Sequence, residues 1–196
     1  MTTETNTTTP ATSTTLATSA SASALPLVAG RWGFDALHSA VGFTIRHFGI
    51  SKVRGRFNDL QAELVVGDSL DTSSITATIA LASIDTGNAD RDAHVRAADL
   101  LDVEKRPTMT FRSTRIAGAG EDWTLEGDLT IGGITRPIVF DVEFGGVVHV
   151  PVDGSRHAGF DASGEFRRSD YGLDFAPGIL GDVVKVDLEV QFVEPE

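Results

Sequence analysis

The residues of this chain best suited to acid–base or metal chemistry are five histidines: His38, His47, His94, His149 and His157. No two of them stand at the H-E-x-x-H spacing that puts two imidazoles on one helical face, and there is no cysteine to add a thiolate. No metal centre is expected. Asp35, His38 and Ser39 have the residue types of a nucleophilic triad, but they lie too close in sequence for its geometry. No G-x-S-x-G elbow is present either. Asp35 and His38 are expected instead to fix the entry of a strand through hydrogen bonds. Arg91, Asp92 and His94 fall within one helical turn, either as a capping and ion-pair cluster or as a polar mouth for a ligand headgroup. This set supports neither an enzyme nor a cofactor site, and no catalytic residue is assigned.

The elements that would position these groups follow from composition. The 196 residues carry 16 basic and 28 acidic side chains, a formal charge of −12. Such a chain repels phosphate backbones, so nucleic acid and anionic membrane surfaces are poor partners. No run of 18 apolar residues exists, so nothing membrane-spanning is expected. Residues 1–27 read as a Thr/Ser-rich disordered tail: ten Thr and four Ser fall within the first 24 positions, and Glu4 is the only charge before Arg31. The tail has no basic leader and no continuous apolar stretch, so no export signal is recognised and a cytoplasmic location is expected. Residues 28–196 form the expected folded domain.

In that domain the dominant period is two. Alternation around Val41–Ile45, Leu60–Val66, Ile75–Leu81, Met109–Phe111, Trp123–Leu129, Ile138–Phe144, Ala158–Ala162 and Val184–Val190 gives eight amphipathic strands. Short Gly- and Asp-rich connections favour antiparallel neighbours. One segment differs: Asp90–Leu101 reads as a short helix capped by Asp90 and stopped before Pro107, placed to cover one end. The expected class is all-β. Closing eight strands into a barrel removes the exposed edges and leaves room for packed side chains or one small ligand. A solid sandwich fits the composition equally well.

Strand parity selects an inward apolar set: Phe43, Ile45, Leu64, Ile79, Leu81, Phe111, Leu129, Phe140, Phe160, Val186 and Leu188. On the residues alone this set is either a packed core or a tunnel wall. The same parity turns Ser39, His47, Ser83 and Ser113 inward, where each would need a polar partner or a ligand headgroup.

Several motifs then resemble the YceI-like family. They are Trp32-x-x-Asp35-x-x-His38-Ser39, Val41-x-Phe43-x-Ile45-x-His47-Phe48-Gly49-Ile50-Ser51 and Val53-Arg54-Gly55-Arg56-Phe57. Ser83-Ile84-Asp85-Thr86-Gly87-Asn88, Arg91-Asp92-x-His94, Leu101-Asp102-Val103-Glu104-Lys105 and Phe111-Arg112-Ser113-Thr114 follow in order. Gly127-Asp128-Leu129-Thr130-Ile131, Arg168-Ser169-Asp170 and Tyr171-Gly172-Leu173 complete them. The resemblance spans about residues 31–193. It implies an eight-stranded antiparallel lipocalin-like barrel that holds a long apolar chain: a polyisoprenoid, an isoprenoid quinone or a fatty amide. It tips the inward set towards a tunnel wall and implies carriage or storage of a lipid, not catalysis. Many members of that family are periplasmic, which this chain's missing leader does not match. A homodimer stays open.

Overall fold

Alternating apolar and polar side chains produce strands here because one face of each can be buried while the other stays wet. The computed structural model describes Met1 and residues 25–196. In chain order the strands are β1 (Gly30–Phe34), β2 (Ala40–His47), β3 (Ser51–Phe57), β4 (Leu60–Val66), β5 (Ser74–Ala80) and β6 (Ile84–Asp85). The helix α1 (Ala89–Arg96) follows, then β7 (Thr108–Ala119), β8 (Asp122–Ile131), β9 (Ile134–His149), β10 (Arg156–Arg167) and β11 (Leu180–Val193).

The sheet is antiparallel and closed. β1, β4, β5, β7, β8, β9, β10 and β11 pair in that order, and β11 returns to β1 through Phe34↔Phe192 and Gly33↔Val193. Three of these eight staves continue past a break. β2 prolongs β1 along β11, β3 prolongs β4 along β2, and β6 prolongs β5 along β3. The eight expected strands are thus β2, β4, β5 and β7–β11, one for each stave. β1, β3 and β6 are the extensions that alternation did not pick out.

The breaks lie side by side and satisfy their own backbone. Asp35 accepts from the Leu37 and His38 amides, and its carboxylate meets His38 Nδ1 at 2.8 Å. Burial pushes the Asp35 carboxyl up, but the His38 side chain and those two amides outweigh it and leave the group below its usual range. The Ser39 hydroxyl donates to the Asp35 carbonyl at 2.6 Å and accepts from the Gln191 amide at 3.0 Å, stitching the first break to β11. The Asn58 amide donates to the Ser83 carbonyl at 3.1 Å, joining the second break to the third.

The helix is shorter than expected. Asn88, not Asp90, caps it, with its side chain accepting from the Arg91 amide at 2.9 Å. α1 ends at Arg96 because Ala97 is extended, and residues 97–106 run in turns through Asp102, whose φ is +50°. The helix presents few apolar groups, so polar bonds hold it. Buried Asp92 accepts from the Thr86 amide at 2.9 Å and the Thr86 hydroxyl at 2.5 Å, and Arg96 donates to the Ala82 and Ile84 carbonyls.

The expected 1–27 tail falls mostly outside the described residues, but its last members are in view. Leu27 is buried, and Leu25 packs against the same apolar cluster as Trp32, Leu64 and Phe192. Trp32 Nε1 donates to the Val28 carbonyl at 2.9 Å and folds the segment back. A boundary at residue 27 therefore cuts through packed structure. Removing residues through Leu27 is expected to cost about 2–3 kcal/mol, the burial of one Leu and part of a second. Urea unfolding against a chain that starts at Leu25 measures it.

Candidate functional site

The inward faces form two apolar clusters. One contains Val41, Ile79, Leu81, Met109, Leu129 and Phe140, and the other Trp32, Leu64, Ile116, Trp123, Phe144 and Phe192. Members of both line a cavity of about 560 Å³ that runs along the barrel. That is the size of an ordinary small-molecule site.

Twelve of the fourteen candidate ligand-binding residues border this cavity: Phe43, Ile45, His47, Leu64, Ile79, Leu81, Phe111, Leu129, Phe140, Phe160, Val186 and Leu188. Ser83 and Ser113 do not. β5 ends at Ala80, so Ser83 sits in a tight turn where strand parity no longer holds, and its hydroxyl donates to the Ala80 carbonyl at 2.7 Å. Ser113 lies at a register shift between β7 and β8 and accepts from the Ile75 amide at 2.9 Å. Ser39 is likewise taken up by backbone.

The interior stays open because of where the phenylalanines lie. A Cβ on Gly55 would come within 2.4 Å of the Phe43 ring, one on Gly127 within 2.3 Å of the Phe111 ring, and one on Gly164 within 2.7 Å of the Phe140 ring. Each glycine takes an inward place in its strand: Val53-Gly55-Phe57, Leu125-Gly127-Leu129 and Ala162-Gly164-Phe166. Each ring therefore covers a bare stretch of neighbouring backbone and lies along the wall instead of across the lumen. Sequence reasoning missed these glycines, although their inward parity was a readable signal.

Aromatic rings gather towards one end. Trp123 and Phe144 stack with ring centres 5.0 Å apart, Phe144 meets Phe160 at 5.4 Å, and Phe160 meets Phe192 at 6.1 Å. Leu25 and Leu27 border the cavity beside them. The other end is a mouth. Of the described residues lining the cavity, only Arg91, His94 and Ile179 are exposed, and they belong to α1 and to the loop before β11.

Besides the Trp123 indole, the polar side chains bordering the cavity are His47, Ser73, Thr86, Arg91, His94 and Arg168. Ser73 is held by the Ser69 carbonyl and the Gly67 amide, and His47 packs on the Phe48 ring at 4.4 Å. Arg91 donates to the Thr86 hydroxyl at 2.6 Å and carbonyl at 2.7 Å, and His94 meets Asp99 at 3.2 Å. In the Arg91–Asp92–His94 cluster, buried Asp92 anchors the helix to Thr86, while Arg91 and His94 are exposed and border the cavity. Arg168 is buried, yet no carboxylate lies within 4 Å of it among the described residues. It donates to the carbonyls of Leu173, Gly181 and Leu180 and rests 4.9 Å over the Phe175 ring. Nothing singled out Arg168 for this role in the sequence. Tyr171, outside the cavity, is buried against Phe166, and that burial pushes its phenol up to about 12. This arrangement can take an apolar chain out of water and meet a polar head at one end. Among the described residues, no group of three or more metal-ligating side chains converges, and no helix is long and apolar enough to cross a membrane.

Comparison with known proteins agrees with this geometry. A UPF0312 protein of Staphylococcus epidermidis is 38% identical over 170 residues, covering 83% of this chain and 96% of the relative. One from Pectobacterium carotovorum is 33% identical over 175 residues, covering 88% and 91%. The crystal structure of the Campylobacter jejuni YCEI protein superposes with a TM-score of 0.69 at 33% identity, over 78% of this chain and 91% of that one. A polyisoprenoid binding domain from Saccharophagus degradans, implicated in plant cell wall breakdown, shares the fold at a TM-score of 0.64 and 16% identity, over 86% of this chain and all of that one. The YceI-like domain matches residues 32–192, all eight staves of the barrel, and the chain belongs to that family.

Proposed function

We propose that the protein binds a long-chain apolar lipid inside the barrel, a polyisoprenoid, an isoprenoid quinone or a fatty amide, and so sequesters or transports it. The observation that carries this reading is the cavity itself, whose walls are nearly all hydrocarbon from the aromatic end to the mouth. Each methylene drawn in from water contributes about 0.8 kcal/mol. A chain of modest length then offsets the cost of association with little polar recognition. The Saccharophagus degradans domain of the same fold, named for polyisoprenoid binding, supports the choice of ligand class. Arg91 and His94 stand where a headgroup would emerge.

Native mass spectrometry and organic extraction of freshly purified protein test the proposal. An intact apolar chain is the expected result. Protein that yields no lipid and takes up neither added polyprenol nor added quinone overturns it. Conversion of the added lipid to a product would make the protein an enzyme instead.

A further inference from the structure

The chain is acidic overall, but one hairpin is not. Residues 36–58 contain no Asp or Glu, and they carry Arg46, Lys52, Arg54 and Arg56. These four side chains are exposed and share the outer face of β2 and β3. Arg56 pairs with Asp85 at 3.2 Å. Among the described residues, no carboxylate lies within 4 Å of Arg46, Lys52 or Arg54. Arg46 and Lys52 are direct cross-strand partners. Like charges set opposite each other destabilise a sheet, so the folded chain gains nothing from this placement.

The tip of the same hairpin is apolar and exposed. Phe48 is 57% exposed and Ile50 is 87% exposed. Phe48 and Gly49 both have positive φ, +49° and +71°, and the Ile50 amide donates to the His47 carbonyl at 3.2 Å. Residues 47–50 form a β-turn inside a three-residue hairpin loop, since His47 pairs with Ser51, and its two central positions have the positive φ that ordinarily falls to Asn, Asp or Gly. A phenylalanine there is strained, and its ring is held out in water. The Phe48 amide donates to the Ile179 carbonyl at 2.7 Å. The tip therefore adjoins Ile179, one of the three exposed residues that mark the mouth. An exposed apolar tip, a cationic face behind it and the opening of a hydrocarbon cavity coincide at one end of an otherwise acidic barrel.

We propose that the β2–β3 hairpin docks the mouth of the barrel onto an anionic lipid bilayer. Phe48, Ile50 and Ile179 enter the interface, while Arg46, Lys52 and Arg54 lie against the headgroups. Outside this hairpin the chain carries 28 acidic against 12 basic side chains, so its net charge opposes docking through the rest of the surface. An apolar guest can then pass between bilayer and cavity without crossing water. That purpose rests on the lipid-binding reading, but the docking itself is measured separately from cavity occupancy.

Co-sedimentation of the full chain with vesicles is the test. One set is phosphatidylcholine alone, and the other contains phosphatidylglycerol as well. The protein is expected on the anionic vesicles only, with binding that falls as salt rises. Each cation near such a surface is worth about 1 kcal/mol, so the R46Q/K52Q/R54Q variant should partition roughly a hundredfold more weakly. Phe48→Ser with Ile50→Ser should also weaken it, and Arg46→Lys with Arg54→Lys should not. All of these positions are exposed, and native mass spectrometry of each variant reports its lipid content independently. Equal binding to both vesicle types overturns the proposal, as does unchanged binding of the triple variant. No binding to anionic vesicles overturns it too and leaves an acidic protein as the occupant of this face.

Discussion

Gly55→Val is expected to fill the lumen from the wall. The new side chain needs the space that the Phe43 ring now occupies, 2.4 Å from the Cβ position, and the Asp85 carbonyl is only 3.0 Å from that position. Backbone cannot yield there, so the ring swings inward. Overpacking of this kind costs about 1–3 kcal/mol of stability. The effect on lipid is larger. If the displaced ring excludes three methylenes of the guest, at about 0.8 kcal/mol each, retention weakens roughly fifty-fold. The double variant Gly55→Val with Phe43→Ala removes the obstruction and should recover most of the binding. Lipid content by mass spectrometry and stability by urea unfolding separate the two effects. Full retention in the single variant would mean that the ring does not border the guest.

The same wall shows which parts of the site were legible in the sequence. Phe43, Phe111 and Phe140 could be placed inward by counting in twos, because a pleated strand keeps its parity as long as its hydrogen-bond ladder is unbroken. Ser83 failed because a tight turn at Leu81–Ser83 resets the count, and nothing in that local composition marks the turn. Ser113 failed at a register shift, which belongs to the pairing of two strands and not to either one alone. β3 was passed over because its inward face reads Val53-Gly55-Phe57, and the missing side chain at Gly55 is supplied by Phe43 from another strand. Leu25 and Leu27 sit beside a polar run that hides one buried and one half-buried leucine. Net charge misled in a similar way. The value of −12 describes the molecule at long range, whereas the hairpin of Arg46, Lys52 and Arg54 presents the opposite sign locally.

Arg168→Met should be among the most damaging single changes at the mouth end of the cavity. The guanidinium donates to three carbonyls, those of Leu173, Leu180 and Gly181, which lie before and after the loop that carries Ile179 to the mouth. A methionine fills much of the volume but takes the guanidinium donor away from the Leu173 carbonyl in a buried place and from the Leu180 and Gly181 carbonyls in half-buried ones. Each orphaned acceptor costs about 1–3 kcal/mol, less what relaxation and water recover, so a total loss of about 3–5 kcal/mol is expected. Arg168→Lys should help little, because a compact ammonium cannot span the three carbonyls that a planar fork reaches at once. It also gives up the face of Phe175, 4.9 Å from the guanidinium carbon. The damage should be greatest at the mouth. Hydrogen exchange at the Ile179 and Leu180 amides, both now bonded to the Ala176 carbonyl, should speed up by more than the global loss explains. Bound lipid should leave faster through the loosened loop. A stability change within about 0.5 kcal/mol, as for an ordinary surface site, would show that water replaces the guanidinium and that the loop holds its shape without it.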